Sequence, residues 1–449
     1  MRWHAELAWL GDEVAADVLI EAEGERFTAV EPGVPAPPDA ERLPGLTLPG
    51  LANAHSHAFH RALRGRSHAG RGDFWTWRDR MYALAERLDP DAYRALARAV
   101  YAEMALAGIS VVGEFHYLHH RPDGSPYDDP NAMGEALIAA AADAGIRITL
   151  LDACYLTGGV HRPLQGAQLR FGDGDADGWR RRVEALHGVV GEGDRAHARL
   201  GAAVHSVRAV PPDQIRRVAA WAARHRLPLH VHLSEQPAEN EACRRAYGLS
   251  PARLLAECGA LGPLTVAVHA THLDAEDIAL LGAAMSGVCL CPTTERDLAD
   301  GIGPARDLAD AGVELSLGSD QHAVIDMFEE ARAVELNERL RTLRRGHWSA
   351  GELLAAATWR GHRALGWPEA GRLEPGAYAD LVTVALDTVR TAGTTAEHAA
   401  ETAVFAAAAA DVRHVVVSGR PVVRDGRHLL IPDVPAALHA AVAAVTGER

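Results

Sequence analysis

Lysine is absent from the chain, and all 45 basic residues are arginine. That absence excludes a Schiff-base lysine, a phosphate-loop lysine and a carbamylated lysine bridging two metal ions. A GC-rich coding sequence would produce the same bias without chemical meaning. Cysteine is scarce too: five residues, an odd number without the spacing of a disulfide framework, fit a reducing cytoplasm. Cys289 and Cys291, two apart in an apolar run, read as packed strand thiols. No run has the length and apolarity of a membrane span, and the opening Met1-Arg2-Trp3-His4-Ala5-Glu6 is too polar for a secretory segment. A formal net charge of -15 argues against nucleic acid or an anionic membrane as partner. What is present is bulk: 449 residues, 48% of them hydrophobic, can bury a large core, and α/β barrels often fill such a length as one unit.

Residues 1–48 read as short β segments, such as Asp17-Val18-Leu19-Ile20 and Phe27-Thr28-Ala29-Val30, parted by Gly and Pro turns. From Leu48 onward apolar β-type runs alternate with helical patterns. Asp89-Pro90 reads as a helix cap followed by proline in the first turn, Gly108 closes that helix, and Gly145 stops another running from about 130 to 144. Strand-like runs fall at 109–115, 146–153, 200–204, 227–232, 264–268, 287–291 and 313–317. With the run before His55 they give about eight βα units, the pattern of a TIM-like (β/α)8 barrel. A helical stretch over 329–365 follows, then strand-like runs at 415–417 and 421–423 joined across Ser418-Gly419-Arg420. The alanine run 406–410 is most simply a helix. The expected organisation is a barrel over 49–368 and one small side domain built from 1–48 and 369–449.

The stretch around which the rest is arranged is Leu51-Ala52-Asn53-Ala54-His55-Ser56-His57. A strand ending in His-x-His puts two imidazoles on the same side of the pleat, half of a tetrahedral zinc site. Alone, that motif is more often a pair of solvated loop histidines. The other strand ends reverse the balance, because barrel chemistry gathers at the C-terminal ends of strands. Strand two ends in Glu114, His116 and Tyr117, and strand four in His205 with Arg208 three residues on. Strand five ends in His232 with Glu235 three residues on, strand six in His269, and strand eight in Ser319-Asp320. His55, His57, His232 and Asp320 can supply three imidazoles and a carboxylate. Such a set with one open position describes a catalytic zinc, which lowers the pKa of its water to about 7. With no lysine to bridge two ions the expectation is a single divalent metal, Zn2+ first, with Fe(II), Mn(II) or Ni(II) left open. His269 is read as orienting the water with Asp320, and Glu235 as a proton shuttle. The roles of His116, His230 and His272 stay open.

These residues, with Pro49-Gly50 and Gly371…Pro375-Gly376…Ala379-Asp380-Leu381, resemble the amidohydrolase superfamily. The resemblance implies a metal-dependent barrel with a small β-sandwich domain made from both chain ends. Finer motifs are similar to the formimidoylglutamate deiminases of histidine degradation within it. They are Phe74-Trp75-Thr76-Trp77-Arg78, Glu114-Phe115-His116-Tyr117-Leu118-His119-His120, His205-Ser206-Val207-Arg208-Ala209-Val210 and His269-Ala270-Thr271-His272. By that resemblance His55, His57, His232 and Asp320 are zinc ligands, while Glu235, His269 and Asp320 are catalytic. Arg78, Tyr117, His205 and Arg208 hold the substrate, joined by His60, which stands where the family usually has glutamine. The implied partner is a small dianionic amino-acid derivative, and the implied assembly a homodimer. Guanidinium groups suit such a dianion, since they bind carboxylates bidentately. Two other readings are a superfamily deaminase acting on a nucleobase or other heterocycle, and a barrel that serves only as an assembly partner.

Overall fold

In the computed structural model two eight-stranded sheets organise the chain. The structure describes residues 1–11, 13–68, 74–191 and 193–447, with backbone alone at Phe74, Trp75 and Asp194. The side chains of Phe74 and Trp75 in the Phe-Trp-Thr-Trp-Arg motif therefore lie outside the described set.

Both chain ends build the first sheet. Its strands are β1 (Arg2–Trp9), β2 (Val14–Glu23), β3 (Arg26–Glu31) and β4 (Glu41–Pro49). From the far end of the chain come β13 (Leu381–Val384), β14 (Val412–Val417), β15 (Arg420–Arg424) and β16 (Arg427–His428). The hydrogen-bonded order is continuous, β16-β15-β14-β13-β4-β1-β2-β3. β4 joins the halves, parallel to β1 and antiparallel to β13. Period-two burial of Val18, Ile20 and Ala22 on β2 gives this sheet a core of its own, shared with Trp3, Phe27, Leu381 and Val416.

The second sheet is the barrel: β5 (Leu51–Ser56), β6 (Ile109–His116), β7 (Arg147–Cys154), β8 (Ala198–Ser206), β9 (Leu229–Leu233), β10 (Thr265–His269), β11 (Gly287–Leu290) and β12 (Leu315–Leu317). Neighbours pair in parallel in chain order, and the strands are apolar and buried almost throughout, as parallel strands under helices must be. The (β/α)8 fold read from the sequence is what forms. The barrel closes between β5 and the segment just past β12 at an isolated bridge, Ser56 to Asp320. Asp320 N donates to His55 O at 3.0 Å and His57 N donates to Asp320 O at 3.1 Å. Gly318 permits this approach, since a Cβ there would lie 2.7 Å from the His55 Cβ.

Local signals explain the helix ends. The Asp89 carboxylate accepts from Ala92 N at 2.8 Å to cap the helix Pro90–Leu106. Gly145, at φ +76°, ends the helix Ala132–Ala144 in the left-handed conformation. Two expectations are corrected. The stretch 329–365 is not one helix: Met327–Thr342 ends at Leu343, φ +57°, and Ser349 caps a new helix at Ala350. The alanine run 406–410 is not an α-helix: the helix Ala399–Phe405 stops before it, and only the 3-10 turn Ala409–Asp411 follows. There Ala408 N donates to Asp411 at 2.9 Å and Ala409 N to Asp326 at 2.8 Å, so carboxylates held by the tertiary fold take backbone donors that alanine propensity would have given to a helix. Among the described residues no helix is long and apolar enough to cross a membrane.

A buried ion pair fastens the two sheets together. Arg147 at the start of β7 grips Asp380 through both terminal nitrogens, one contact at 2.8 Å, and Asp380 also accepts from Ser418 N at 2.8 Å. Arg147→Ala strands that carboxylate, so it is expected to cost about 3–5 kcal/mol, read as a lowered melting temperature. Replacing both partners by apolar residues should cost less than the single change.

Candidate active site

Four ligand-type side chains converge at the seam between β5 and β12. His55 Nε2 lies 3.2 Å from His232 Nε2 and 3.5 Å from Asp320 Oδ1, and His57 Nε2 lies 3.4 Å from the same oxygen. The edge of a tetrahedron drawn around a zinc ion with bonds near 2.0–2.1 Å is about 3.3–3.4 Å. Tautomers support the same reading. His57 Nδ1 donates to Phe115 O at 2.9 Å and His232 Nδ1 donates to His205 O at 2.8 Å. A carbonyl only accepts, so both rings carry their proton on Nδ1 and present a lone pair at Nε2. Lone pairs and a carboxylate so crowded repel one another unless a cation stands among them. Burial lowers the pKa of all three histidines, that of His55 to about 3, which leaves neutral imidazoles ready to coordinate. Burial pushes Asp320 up, but its polar contact with His55, together with His269 and His57, more than reverses that and holds the carboxyl well below its usual range. The donor set fits one divalent ion.

Hydrogen bonds behind these residues hold them in place. Asn53 Nδ2 donates to Ser319 Oγ at 2.7 Å, which meets His322 Nδ1 at 2.9 Å. His322 Nε2 meets Ser56 Oγ at 3.1 Å, and Ser56 Oγ donates to Glu114 at 2.6 Å. Glu114, at the end of β6, also accepts from Ala58 N at 2.7 Å, and burial pushes its pKa up to about 7. The backbone is strained at the same place: Ser234 has φ +51°, His269 φ +69° and Asp320 φ +44°. Such conformations cost on the order of 1–3 kcal/mol each and persist only where surroundings over-determine them.

His269 stacks on the His232 ring, 5.7 Å away, and faces three acids. Its Nδ1 lies 3.4 Å from Glu295, and its Nε2 lies 3.8 Å from Glu235 and 3.7 Å from Asp320. Burial would lower the pKa of His269, but Glu235, Glu295 and Asp320 together raise it well above the usual value. Glu235 is itself pushed up by burial, with His269 and Arg208 drawing it partly back.

These groups open into a cavity of about 620 Å³, within the range of small-molecule sites. Every site residue expected from the sequence except His55 lines it, and His55 lies just behind. Arg78 stands over the Tyr82 ring at 5.5 Å, and Arg208 pairs with Glu239 at 2.7 Å and Glu235 at 3.7 Å. His60 Nε2 meets the Tyr117 hydroxyl at 2.9 Å, and its ring sits 4.6 Å from that of His57. Burial and the neighbouring imidazoles keep His60 neutral. His205 packs 4.3 Å from the Tyr155 ring and, through its carbonyl, orients His232.

The histidines left open by the sequence take other duties. His230 Nε2 donates to Ala364 O at 3.0 Å, and His272 Nε2 donates to Asp300 O at 2.7 Å. His116 meets His119 at 3.2 Å near Asp152, but Arg182 already grips that carboxylate at 2.7 and 2.8 Å, so a cation there would face a fixed positive charge. Sequence reasoning missed Tyr155, Glu239, Glu295 and Asp300. Spacing marked none of them: Glu239 stands four residues past Glu235, but the helix that carries it begins only at Pro237.

A barrel of this topology, with histidines and an aspartate converging at its C-terminal rim, defines a metal-dependent hydrolase. The chain matches the Amidohydrolase family over residues 46–422 and belongs to that family. It is 37% identical over 436 residues to formimidoylglutamate deiminase of Pseudomonas aeruginosa, covering 94% of this chain and 95% of that protein. It is 30% identical over 433 residues to 8-oxoguanine deaminase of the same species, covering 92% and 90%. Among solved structures, an amidohydrolase from Brucella melitensis superposes with a TM-score of 0.88 at 33% identity, covering 99% of each chain.

Proposed function

We propose that the protein hydrolyses N-formimidoyl-L-glutamate to N-formyl-L-glutamate and ammonia, a step of histidine degradation, with one zinc ion held by His55, His57, His232 and Asp320. The observation that carries this reading is the placement of two guanidinium groups, Arg78 and Arg208, in the same cavity as the histidine–aspartate cluster. Two carboxylates on one small substrate call for two such groups. The 37% identity to a formimidoylglutamate deiminase supports the same choice.

A divalent ion held by His55, His57, His232 and Asp320 would lower the pKa of a water toward neutrality. The residues do the rest. Arg78 and Arg208 bind the carboxylates, while neutral His60, with Tyr117 and His205, orients the chain between them. Glu235, buried and shifted toward its protonated form, gives a proton to the imino nitrogen and so makes the amidine carbon more electrophilic. Asp320, held ionised, takes the proton of the attacking water, and His269 balances the charge of both carboxylates. Asp320 hands that proton on to the same nitrogen, the hydroxyl proton of the adduct returns to Glu235 as the formyl C=O forms, and the C–N bond breaks with release of ammonia.

The test is a coupled ammonia assay on N-formimidoyl-L-glutamate, 8-oxoguanine and guanine, with metal analysis of the same sample. Release from the first alone is expected. Release from a purine alone would transfer the protein to the heterocycle deaminases. Chelation should abolish turnover, and added Zn2+ should restore it.

A further inference from the structure

We propose that Glu239 is a positioning residue that sets two parts of the site at once, the Arg208 guanidinium and the turn from which Glu235 projects. The inference rests on the reading of the cavity as a site for a carboxylate-bearing amidine.

Glu239 lies in the first turn of the helix Pro237–Tyr247. An acid there ordinarily faces water and complements the helix dipole, but this side chain is 0% exposed. Its Oε2 sits 2.7 Å from Arg208 Nε, out of line for a hydrogen bond, so charge rather than a directed bond holds the guanidinium. Its Oε1 accepts from Ser234 N at 3.1 Å. Ser234 is the left-handed residue between His232 and Glu235, at φ +51°. One buried carboxylate thus anchors a cation that binds substrate and pins the strained backbone that aims the proton donor. Burial alone would lower the pKa of Arg208, and Glu239, then Glu235, overcome that to keep it charged. Without Glu239 the guanidinium would be a partly buried cation with Glu235 as its remaining carboxylate neighbour.

Two substitutions separate the two duties. Glu239→Gln keeps the shape and the oxygen facing Ser234 but removes the charge. It is expected to raise KM for N-formimidoyl-L-glutamate about 10–100-fold, the scale of losing the charged hydrogen bond from Arg208 to a substrate carboxylate, with kcat changed far less. Glu239→Ala removes the acceptor as well and is expected to lower kcat by a further ~10²-fold, the scale of a misplaced catalytic group. In an Arg208→Gln background the KM effect of Glu239→Gln should vanish. Metal content and melting temperature are measured in parallel. If both changes prevent folding, Glu239→Asp keeps the charge at shorter reach and should raise KM by an intermediate factor. Variants that leave KM and kcat within twofold of wild type, or a KM effect that persists without Arg208, would overturn the proposal. Wild-type protein inactive on N-formimidoyl-L-glutamate sinks the substrate reading itself, and this inference with it, whereas an active wild type with indifferent variants sinks the inference alone.

Discussion

Glu235→Gln is expected to keep the divalent ion and lose most turnover. Loss of a positioned acid costs about 10²–10⁴-fold in kcat. Metal content should stay at the wild-type level because Glu235 is not among the four converging ligand atoms. The pH profile sharpens the expectation. A group that donates a proton must be protonated at the start, so activity falls as pH rises through its pKa. Burial raises the Glu235 pKa, which carries the active range to higher pH, while His269 and Arg208 pull it back. Arg208→Gln removes one of those cations and should therefore move the alkaline limb of kcat further up in pH, besides weakening substrate binding. Glu235→Gln should abolish that limb. Wild-type turnover by Glu235→Gln would show that the proton comes from elsewhere.

Asp320→Asn is the second large effect. The carboxylate is the charged member of a set otherwise made of neutral imidazoles. Its loss should weaken metal affinity by about 10²-fold or more and lower kcat by about 10³-fold even with the ion in excess. The substitution is well suited to test chemistry rather than folding. Asp320 sits at φ +44°, a conformation that asparagine tolerates and alanine does not. The main-chain N and O at this position can keep their bonds to His55 and His57, so the melting temperature of the metal-free protein should change little. Equilibrium dialysis against zinc, with ammonia assays across added zinc, measures both effects. Unchanged affinity would remove Asp320 from the ligand set.

Much of the site was legible because two simple periodicities carry it. The alternation of a strand puts His55 and His57 on one side, and the barrel rule gathers the ends of β5, β9 and β10 at one rim. The residues behind that rim were not legible, for a physical reason. Glu239 and Glu295 lie in first turns of helices, where an acid is ordinary, and only tertiary packing turns them inward. The same kind of override acts at the alanine run, where distant Asp326 and neighbouring Asp411 take backbone donors. Arg208 shows both sides. Its strand-end position marked it as a ligand-binding cation, but the carboxylates flanking it could not be foreseen from spacing.

The single bridge between Ser56 and Asp320 has a consequence for assembly of the molecule. A ring whose last joint carries the proposed ligand Asp320 would close more firmly with the ion bound, since an ion bound only by the folded form adds RT ln(1 + [ion]/Kd) to stability. The first and eighth strands should therefore exchange their amide hydrogens faster in chelated protein than in loaded protein. The cation would then be a rivet of the architecture as well as a reagent.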